Sequence, residues 1–358
     1  MRAALLTALL VLPANWESAR PGYPWYFPRD HWAHRDYRTE WWYFTGHLGE
    51  RFAYQFTFFR IGILRERPEG GSSWTATGLV MGHAAVTDLS TNRHWFSEAL
   101  HREIPLLAGY RDHPDPRIGW SRGPAGTADL WTLDWNGEGF DFAARDSSQR
   151  FGFRLTTRPR KPLVFQGPGG FSRKGEGEGA ASLYYSFTRL ETAGVLELEG
   201  ERHEVTGESW MDREFSSSQL AEHQTGWDWF SLRLDDGRDL MLYLMRAESG
   251  GIDYASGTLV DPLGLAIHLE RSAFDVEVLD RWTSPATSAR YPSKWRIRAA
   301  GLELRVTASV TDQENRSRFP GGVFYWEGAV IVETPDGKPI GRGFVELTGY
   351  GAGNRPPV

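Results

Sequence analysis

The chain has 358 residues, long enough for one large or two ordinary domains, each with its own core. Its net charge of -6 shows no basic stripe, which argues against nucleic-acid binding, and the lack of cysteine excludes disulfides, thiolate metal sites and a cysteine nucleophile. Aromatic residues are abundant, with 16 Trp, 13 Tyr and 20 Phe beside 40 Gly and 20 Pro, and this mixture favours many short strands over long helices.

The N-terminus has the pattern of a signal peptide. Arg2 precedes the apolar run AALLTALLVL, which is shorter than the roughly 20 residues that span a bilayer. The run has the length of a signal-peptide core and is followed by the small residues Ala14 and Ala19. We expect a signal peptide over residues 1–19 and a periplasmic or secreted protein. No other segment is predicted to cross a membrane.

Residues 31–48, HWAHRDYRTEWWYFTGHL, combine charges with large rings. We interpret the stretch as the polar rim of an aromatic cavity that contacts a ligand. Arg38 and Glu40 are expected to pair at the rim, and Trp41, Trp42 and Tyr43 to line it.

The same stretch has side chains of the kinds that bind zinc, namely His31, His34 and Asp36. No closed ligand set accompanies them, and the arginines of the segment oppose a cation, so no metal site is predicted. His31 is kept as a candidate acid–base group, since the ordinary pKa of histidine is about 6.5.

Alternation of apolar and polar residues predicts strands through most of the chain. In RFAYQFTFFRI, Phe52, Tyr54, Phe56 and Phe58 share one face. Asp-Asp-Gly at 235–237 lies between two apolar runs and predicts a hairpin. The protein is therefore predicted to be all-β.

Two blocks of sequence recur in the same order and indicate duplication of a β-domain. WWYFTGHLGERFAYQFTFFR aligns without a gap with WDWFSLRLDDGRDLMLYLMR, at an offset of 186 residues. Further on, LYYSF and HEVTG in the first half correspond to FYWEG and VELTG in the second. The alternative is chance similarity among aromatic strands. We predict domains over residues 27–206 and 207–350.

Several motifs together resemble the AttH/hydroxyneurosporene-synthase family, which includes carotenoid 1,2-hydratases. They are FPRDHWAHRDYRTEWWYFTGHL, KPLVFQGPGGFSRKG, ASLYYSF, VTGESWMDREFSS, GWDWFSLRLDDGRDLMLY and GFVELTGY. The resemblance is closest to the AttH branch and implies two tandem lipocalin-like antiparallel β-barrels. Members of this branch are often exported and often encoded beside ABC-type membrane systems, which suggests such a transport complex as a partner.

One segment of the chain allows its possible activity to be compared with that of the carotenoid hydratases. The segment that matches WMDREF reads His-Asp-His-Asn-Trp in the carotenoid hydratases, so Asp212 keeps the acid while the histidines are absent. In a strand, Asp212 and Glu214 share one face with Trp210. Burial among rings raises the pKa of a carboxyl and lets it donate a proton to an alkene. An ion-paired junction between the barrels, formed by Asp212, Arg213 and Glu214, is the interpretation that the sequence favours over catalysis.

Two functions are considered, and the aromatic richness of the chain together with the absent histidines favours the first, with the second as the alternative. The first is binding of an apolar small molecule, such as a lipid, isoprenoid or polyene, in a pocket walled partly by the segment Trp227, Asp228 and Trp229. The second is a hydratase or isomerase that uses no cofactor, with Asp212 as the proton donor and Glu214 or His31 positioning the water. The ligand, the oligomeric state and the position of the pocket, within a barrel or between the two, stay open at this stage.

Overall fold

The computed structural model describes residues 16–356, except residues 178, 219, 320, 321 and 352. The apolar run of the predicted signal peptide, residues 3–12, lies outside the described residues. The described ranges form 23 strands and no α-helix, and therefore no helix that could span a membrane. Three short 3-10 helices complete the regular structure: Arg29–His31, Pro168–Gly170 and Arg271–Ala273. The predicted all-β fold is confirmed.

The first sheet is antiparallel and contains thirteen strands. They are β1 (Thr39–Leu48), β2 (Phe52–Gly62), β3 (Gly78–Asp88), β4 (Arg93–Arg102), β5 (Ala108–Tyr110), β6 (Arg117–Arg122), β7 (Leu130–Trp135), β8 (Phe140–Asp146), β9 (Phe151–Pro159), β10 (Val164–Phe165), β11 (Phe171–Arg173), β12 (Ala181–Leu198) and β13 (Glu201–Ser216). Their order is β4-β3-β2-β1-β13-β12-β9-β8-β7-β6-β5, with β10 and β11 beside β12. The sheet curls until β3 and β4 approach β6, which nearly closes a barrel.

The second sheet is also antiparallel and contains ten strands. They are β14 (Gln224–Leu234), β15 (Asp239–Ala247), β16 (Ile252–Val260), β17 (Ala266–Glu270), β18 (Phe274–Thr283), β19 (Arg290–Ala299), β20 (Leu302–Ala308), β21 (Glu314–Arg316), β22 (Phe324–Glu333) and β23 (Pro339–Leu347). Their order is β17-β16-β15-β14-β23-β22-β20-β19-β18, with β21 beside β22.

The two sheets repeat one topology, as the predicted duplication requires. If β14 is matched with β1, then β15, β16 and β17 match β2, β3 and β4 in position. On the other side β23 and β22 match β13 and β12, followed by β20, β19 and β18 in the places of β9, β8 and β7. The first sheet alone carries β5 and β6. The architecture is that of two tandem barrels.

Each sheet encloses its own core of aromatic and aliphatic side chains. The largest fully buried members are Trp42, Phe44, Tyr185 and Trp131 in the first core and Phe230, Tyr291, Trp295 and Trp326 in the second. Burial of a large apolar side chain contributes about 1.5–3 kcal/mol, so these rings are a main source of stability. Both barrel interiors are packed with side chains.

The division between the domains falls after Ser216, beyond the predicted boundary at 206/207. Strand β13 pairs with β1 along its whole length, from Gly207 opposite Leu48 to Ser216 opposite Thr39. The hydrogen bonds of this ladder make β13 part of the first sheet. The first domain also begins before residue 27, because Ala19 is buried in a cluster with Phe215.

A buried ionic contact holds the domains together at one end of their interface. Asp239 at the start of β15 is fully buried and accepts from Lys161 Nζ at 2.6 Å, Arg189 Nε at 2.9 Å and Thr188 Oγ1 at 2.8 Å. The three donors belong to the first domain and the carboxylate to the second. A buried carboxylate with this many charged and polar partners fixes relative orientation.

Candidate active site

A cavity of about 70 Å³ lies between the two domains, outside both packed cores. It is formed where the outward faces of β1 and β13 meet those of β14, β15 and β23. Its walls are mainly aromatic, with four charged groups among them: Trp41, Tyr43, Phe59, Lys174, Tyr184, Asp212, Glu214, Leu220, Trp227, Trp229, Tyr243, Met245 and Glu346. We call this space the acid chamber.

A second space of about 50 Å³, the apolar chamber, adjoins it. The two chambers share the side chains of Trp41, Phe59, Trp227 and Glu346. Much of the apolar chamber is lined by hydrocarbon and aromatic surface, including Ile61, Met81, Val323, Phe324 and Pro356. A ligand that occupies both chambers therefore meets carboxyl groups at one end and apolar surface at the other.

Asp212 is placed in the acid chamber by the alternation of β13. Its carboxylate accepts three hydrogen bonds, from Tyr184 Oη at 2.6 Å, Ser186 Oγ at 2.5 Å and Trp210 Nε1 at 2.6 Å. No arginine or lysine forms an ion pair with it among the described residues. The carboxyl is thus oriented by neutral donors, which leaves it free to exist in either protonation state.

Burial raises the pKa of Asp212 to about 7, against the opposing effect of its three donors and with a further rise from the charge of Glu214. Burial and the charge of Asp212 raise the pKa of Tyr184 far above its ordinary value, so the phenol keeps its proton. Tyr184 also accepts a hydrogen bond from Trp229 Nε1 at 3.2 Å. Asp212 therefore exchanges protons near neutral pH within a fixed frame of rings.

Glu346 provides a second carboxyl to the same chamber, from β23 of the other domain. Its Oε2 accepts a hydrogen bond from Trp227 Nε1 at 2.8 Å. Burial and, to a smaller extent, the charge of Asp212 raise the pKa of Glu346 to about 7, against the opposing effect of the hydrogen bond from Trp227. Two carboxyl groups that titrate near neutrality and disfavour each other's charge suit an acid and a base of one reaction.

Asp212 and Glu346 hold corresponding places in the duplicated chain. Asp212 lies opposite Tyr43 across the β1–β13 pair, and Glu346 lies opposite Trp229 across the β14–β23 pair. Because Tyr43 and Trp229 are related by the offset of 186 residues, their strand partners are related as well.

The alignment of the two halves of the chain missed the relation between Glu346 and Asp212 because its second block was misaligned. It matched HEVTG with VELTG, and thus Gly207 with Gly349. In the structure Gly207 lies opposite Leu48 and Gly341 opposite Leu234, so Gly207 corresponds to Gly341. The register sets GESWMDR (207–213) against GRGFVEL (341–347). The β12–β13 hairpin is longer than the β22–β23 hairpin, which produced the false match.

Glu214 lines the chamber on the same face as Asp212, as the strand period predicts, but it is held as an ion pair. Lys174 Nζ lies 2.8 Å from Glu214 Oε1, and Ser182 Oγ donates to the same oxygen. The Lys174 ammonium also lies 4.1 Å from the ring centroid of Tyr243 and 4.9 Å from that of Tyr184. The rings of the chamber thus already face a positive charge.

A fourth carboxyl, Glu327 of β22, lies behind the chamber wall. Tyr43 Oη donates to its Oε1 at 2.6 Å, and its Oε2 has no partner among the described residues. Burial raises the pKa of Glu327 well above its usual range, and the charge of Glu346 adds to the effect. The protonated form of Glu327 is therefore favoured, and its carboxyl holds the Tyr43 hydroxyl in place.

The structure brings together most, but not all, of the predicted site residues. Trp41, Tyr43, Trp227 and Trp229 line the acid chamber with Asp212 and Glu214, and Trp210 supports Asp212 from behind. Trp42 and Asp228 lie on the opposite faces of their strands. Trp42 is fully buried in the first core, and Asp228 is paired with Arg246 at 2.9 Å.

The expected pair of Arg38 and Glu40 is replaced by another arrangement. The Arg38 side chain is exposed, whereas Glu40 is fully buried and forms ion pairs with Arg213 and, at 3.1 Å, with Arg60. Glu40 reaches the wall of the apolar chamber. Burial opposes its charge, but the guanidinium groups of Arg213 and Arg60 and the hydrogen bond with His34 together outweigh that effect and hold the pKa of Glu40 well below its usual range.

His31 lies inside the first barrel rather than beside the acid chamber. Its Nδ1 is 2.6 Å from Tyr185 Oη, and its ring stacks on Trp135 with centroids 4.4 Å apart. Tyr185 points away from the interface because its neighbour Tyr184 points toward it. Burial and the charge of Arg213 lower the pKa of His31 to about 3, so its ring is neutral at physiological pH.

No group of three or more histidine, aspartate or glutamate side chains in the described ranges has the geometry of a metal site. The acid chamber presents carboxyl, phenol and indole groups to a ligand.

Comparison with known proteins identifies one family. The family model described as AttH-like matches residues 18–350. The structure resembles the crystal structure of an AttH protein from Nitrosomonas europaea, with 33% sequence identity, 94% of this chain and 100% of that chain covered, and a TM-score of 0.82. No sequence among curated proteins matches this chain.

More distant structures share the fold alone. Kievitone hydratase from Nectria haematococca has 14% identity and a TM-score of 0.63, over 94% of this chain and 96% of that chain. CghA with Sch210972 has 11% identity and a TM-score of 0.50, over 87% of this chain and 88% of that chain.

Proposed function

The chain belongs to the AttH-like family, and from this premise we propose that it is an acid–base enzyme, a hydro-lyase or isomerase acting on an apolar unsaturated molecule. One observation carries the proposal. Asp212 is buried in an aromatic chamber with a pKa of about 7, held by three neutral donors and paired with no cation. All three donors belong to the same domain as Asp212, so this carboxyl does not serve as a hydrogen-bonded link between the domains.

The proposed step uses Asp212 as acid and Glu346 as base. Protonated Asp212 gives its proton to one carbon of a C=C bond, whose π electrons form the new C–H bond and leave a cation on the neighbouring carbon. Water attacks that carbon, and the Glu346 carboxylate takes the excess proton. The product is an alcohol, and water has been added across the bond. If Glu346 instead removes a proton from an adjacent carbon, the double bond moves and the reaction is an isomerisation.

The walls of the chamber are suited to the cation between the two proton transfers. Trp229, Tyr184 and Tyr243 present aromatic surface, and the last two already face the Lys174 ammonium. A ring face in a desolvated site stabilises a cation by about 2 kcal/mol. Glu214, whose charge is neutralised by Lys174, is assigned to positioning, and His31 is too far inside the first barrel to take part.

The fold of kievitone hydratase supports the proposal by analogy only, since it indicates that this architecture is able to carry a hydratase. The substrate is proposed to be an isoprenoid, polyene or other molecule with an isolated alkene, its reacting end in the acid chamber and its remainder in the apolar chamber. We further propose that the protein is exported to the periplasm, as the N-terminal pattern suggests.

The second candidate function is binding without turnover, and one observation favours it. The apolar chamber is walled largely by hydrocarbon and aromatic surface, and polar side chains that reach it are already paired: Glu40 with Arg60 at 3.1 Å, and His83 Nδ1 with Tyr325 Oη at 2.7 Å. Such a space is suited to holding an apolar molecule, for instance for a neighbouring ABC-type transport system.

The test starts with native mass spectrometry of protein purified from its own host, to identify a bound molecule. That molecule is then incubated with protein in D₂O containing ¹⁸O. We expect wild-type protein to incorporate one deuterium with or without one ¹⁸O, depending on hydration or isomerisation, and Asp212→Asn to lower the rate at least 100-fold. The matched control is Glu204→Gln, an exposed carboxylate of the same strand, which should keep the wild-type rate.

The outcomes separate the two candidates. A molecule that wild-type protein binds and returns without isotope contradicts catalysis and favours the binding function. Equal rates in wild type and Asp212→Asn contradict the role of Asp212. Protein that binds no apolar molecule contradicts both candidates.

A further inference from the structure

A separate cavity of about 230 Å³ lies farther along the interface between the domains. It is bounded by the β1–β2 turn and β13 of the first domain and by β14 and β23 of the second. Its walls include the basic side chains His47, Arg189, Arg233 and Arg342, and they are independent of both chambers described above.

Arg233 is the unusual member of this group. Its side chain is only 4% exposed, yet its Nε and Nη1 have no hydrogen-bond partner within the described part of the chain. Among the residues that the structure describes, its one polar side-chain contact is from Nη2 to His47 Nδ1, at 3.3 Å. A buried guanidinium without a carboxylate is costly, because neither water nor a counter-charge replaces its hydration.

The neighbouring charges do not satisfy Arg233. Arg189 is committed to Asp239 at 2.9 Å and to Glu208 at 3.5 Å, and Arg342 is committed to Glu50 at 2.7 Å. Burial lowers the pKa of Arg233 to about 10, which leaves it charged at physiological pH.

Two further groups fix the character of the cavity. Burial and the charge of Arg233 lower the pKa of His47 well below its usual range, so its ring is neutral. The carboxylates that reach the cavity, Glu50, Glu208 and Asp235, are exposed and stand at its rim. The buried end is therefore positive and the solvent end is mixed in charge.

We propose that this cavity binds the oxyanion group of a small molecule, a phosphate or a carboxylate, against Arg233. An anion in the cavity supplies the counter-charge that the buried Arg233 guanidinium lacks among the described residues, and guanidinium groups bind oxyanions and phosphates strongly. It also bridges the domains, since His47 belongs to the first and Arg233 to the second. The proposal does not depend on the reaction assigned to the acid chamber.

The experiment measures thermal unfolding and calorimetric binding with inorganic phosphate or acetate, at constant ionic strength set with chloride. We expect one of these anions to raise the melting temperature of wild-type protein in a saturable way. Saturation by phosphate alone assigns the site to phosphate groups, and saturation by acetate alone assigns it to carboxylates. The exposed, ion-paired Arg298→Gln serves as the control and should behave as wild type.

Two variants keep the test decisive. Arg233→Met should raise the dissociation constant at least tenfold, and Arg342→Gln, at the half-buried rim, should raise it about threefold while folding normally. If Arg233→Met does not fold, Arg342→Gln carries the test by itself. No saturable effect in wild type, or equal affinity in wild type and Arg342→Gln, overturns the proposal.

Discussion

Tyr43 packs edge-on against Trp229, with ring centroids 5.1 Å apart and planes inclined by 83°, although the two residues hold the same place in the two halves of the chain. His47 and Arg233 have the same offset and also touch, at 3.3 Å. Residues that meet their own counterparts are the mark of a two-fold interface. The domains thus face each other across a pseudo-two-fold axis, which explains why one chamber contains two corresponding carboxyls.

The raised pKa of Asp212 predicts a pH-dependent difference in stability between wild type and Asp212→Asn. The folded protein holds the Asp212 proton up to about pH 7, whereas the unfolded chain releases it near pH 4. The free energy of unfolding of wild type therefore falls as the pH rises from 4 to 7, because over this range only the folded state holds the proton. Relative to wild type, Asp212→Asn should gain up to about 4 kcal/mol between pH 4 and pH 8.

Urea unfolding of both proteins across this range measures the effect. Taking the difference matters because His31 and His83, whose pKa values burial lowers to about 3, destabilise both proteins as the pH falls below 6.5. These contributions cancel between the two proteins. A difference that does not change with pH would contradict the assigned pKa of Asp212.

Trp227→Phe should shift the acidic limb of the pH–rate profile upward by about one pH unit. The substitution keeps a ring in the wall but removes the Nε1–H donor to Glu346, and a hydrogen bond to a charged group contributes about 1.5 kcal/mol. The pKa of Glu346 rises as a result, so the base is lost at a higher pH. The exposed Trp74→Phe is the control. A profile of lower rate but unchanged shape would argue against Glu346 as the base.

Asp239→Asn should destabilise the protein by about 3–5 kcal/mol, because it leaves the buried cations of Lys161 and Arg189 facing a neutral amide. Asp236 lies close to Asp239 in sequence, and Asp236→Asn breaks only an exposed pair with Arg238, so it should cost less than about 1 kcal/mol. Chemical denaturation of the two variants compares them directly. Equal losses would show that the contact between the domains adds little to stability.

The adjacent Trp41 and Trp42 should respond in opposite ways to substitution by alanine. Trp42 is fully buried, and its indole donates to the carbonyl of His31 at 2.7 Å, so its loss should cost about 3–5 kcal/mol. Trp41 is half-buried and lines both chambers, so its loss should weaken ligand binding with a smaller change in stability. Calorimetry with the co-purified molecule and urea unfolding test the two halves of the prediction. The same balance of effects in both variants would contradict it.

Local periodicity predicted much of the fold and part of the site. Asp212, Glu214 and Trp210 share a face because strand side chains alternate, and this relation is visible in GESWMDREF alone. The same rule, applied to Trp41-Trp42, also shows that only one of two adjacent tryptophans is able to face a given cavity. The duplication could be recognised from the sequence wherever the repeated strands have equal lengths.

Neither the place of Glu346 in the chamber nor the buried ion pairs of Glu40 could be predicted from local periodicity. The position of Glu346 depends on the register of β23 against β14, and unequal hairpin lengths hid its relation to Asp212. Glu40 finds Arg213, which is distant in sequence, because β1 and β13 are neighbours in the sheet. Such partners are set by tertiary pairing, for which a local pattern contains no signal.

Strands β1 and β14 at the interface between the domains each turn one face to a packed core and the other to the chambers. This separation affects which substitutions the protein is able to tolerate. On β1 the residues that hold the barrel together are Trp42 and Phe44, while those that meet a guest molecule are Trp41 and Tyr43. Substitutions on the second set leave the packed core of either barrel untouched. New specificities are therefore accessible by single exchanges on the chamber faces of β1 and β14, at little risk to folding, and a directed-evolution library confined to those faces should retain mostly soluble members.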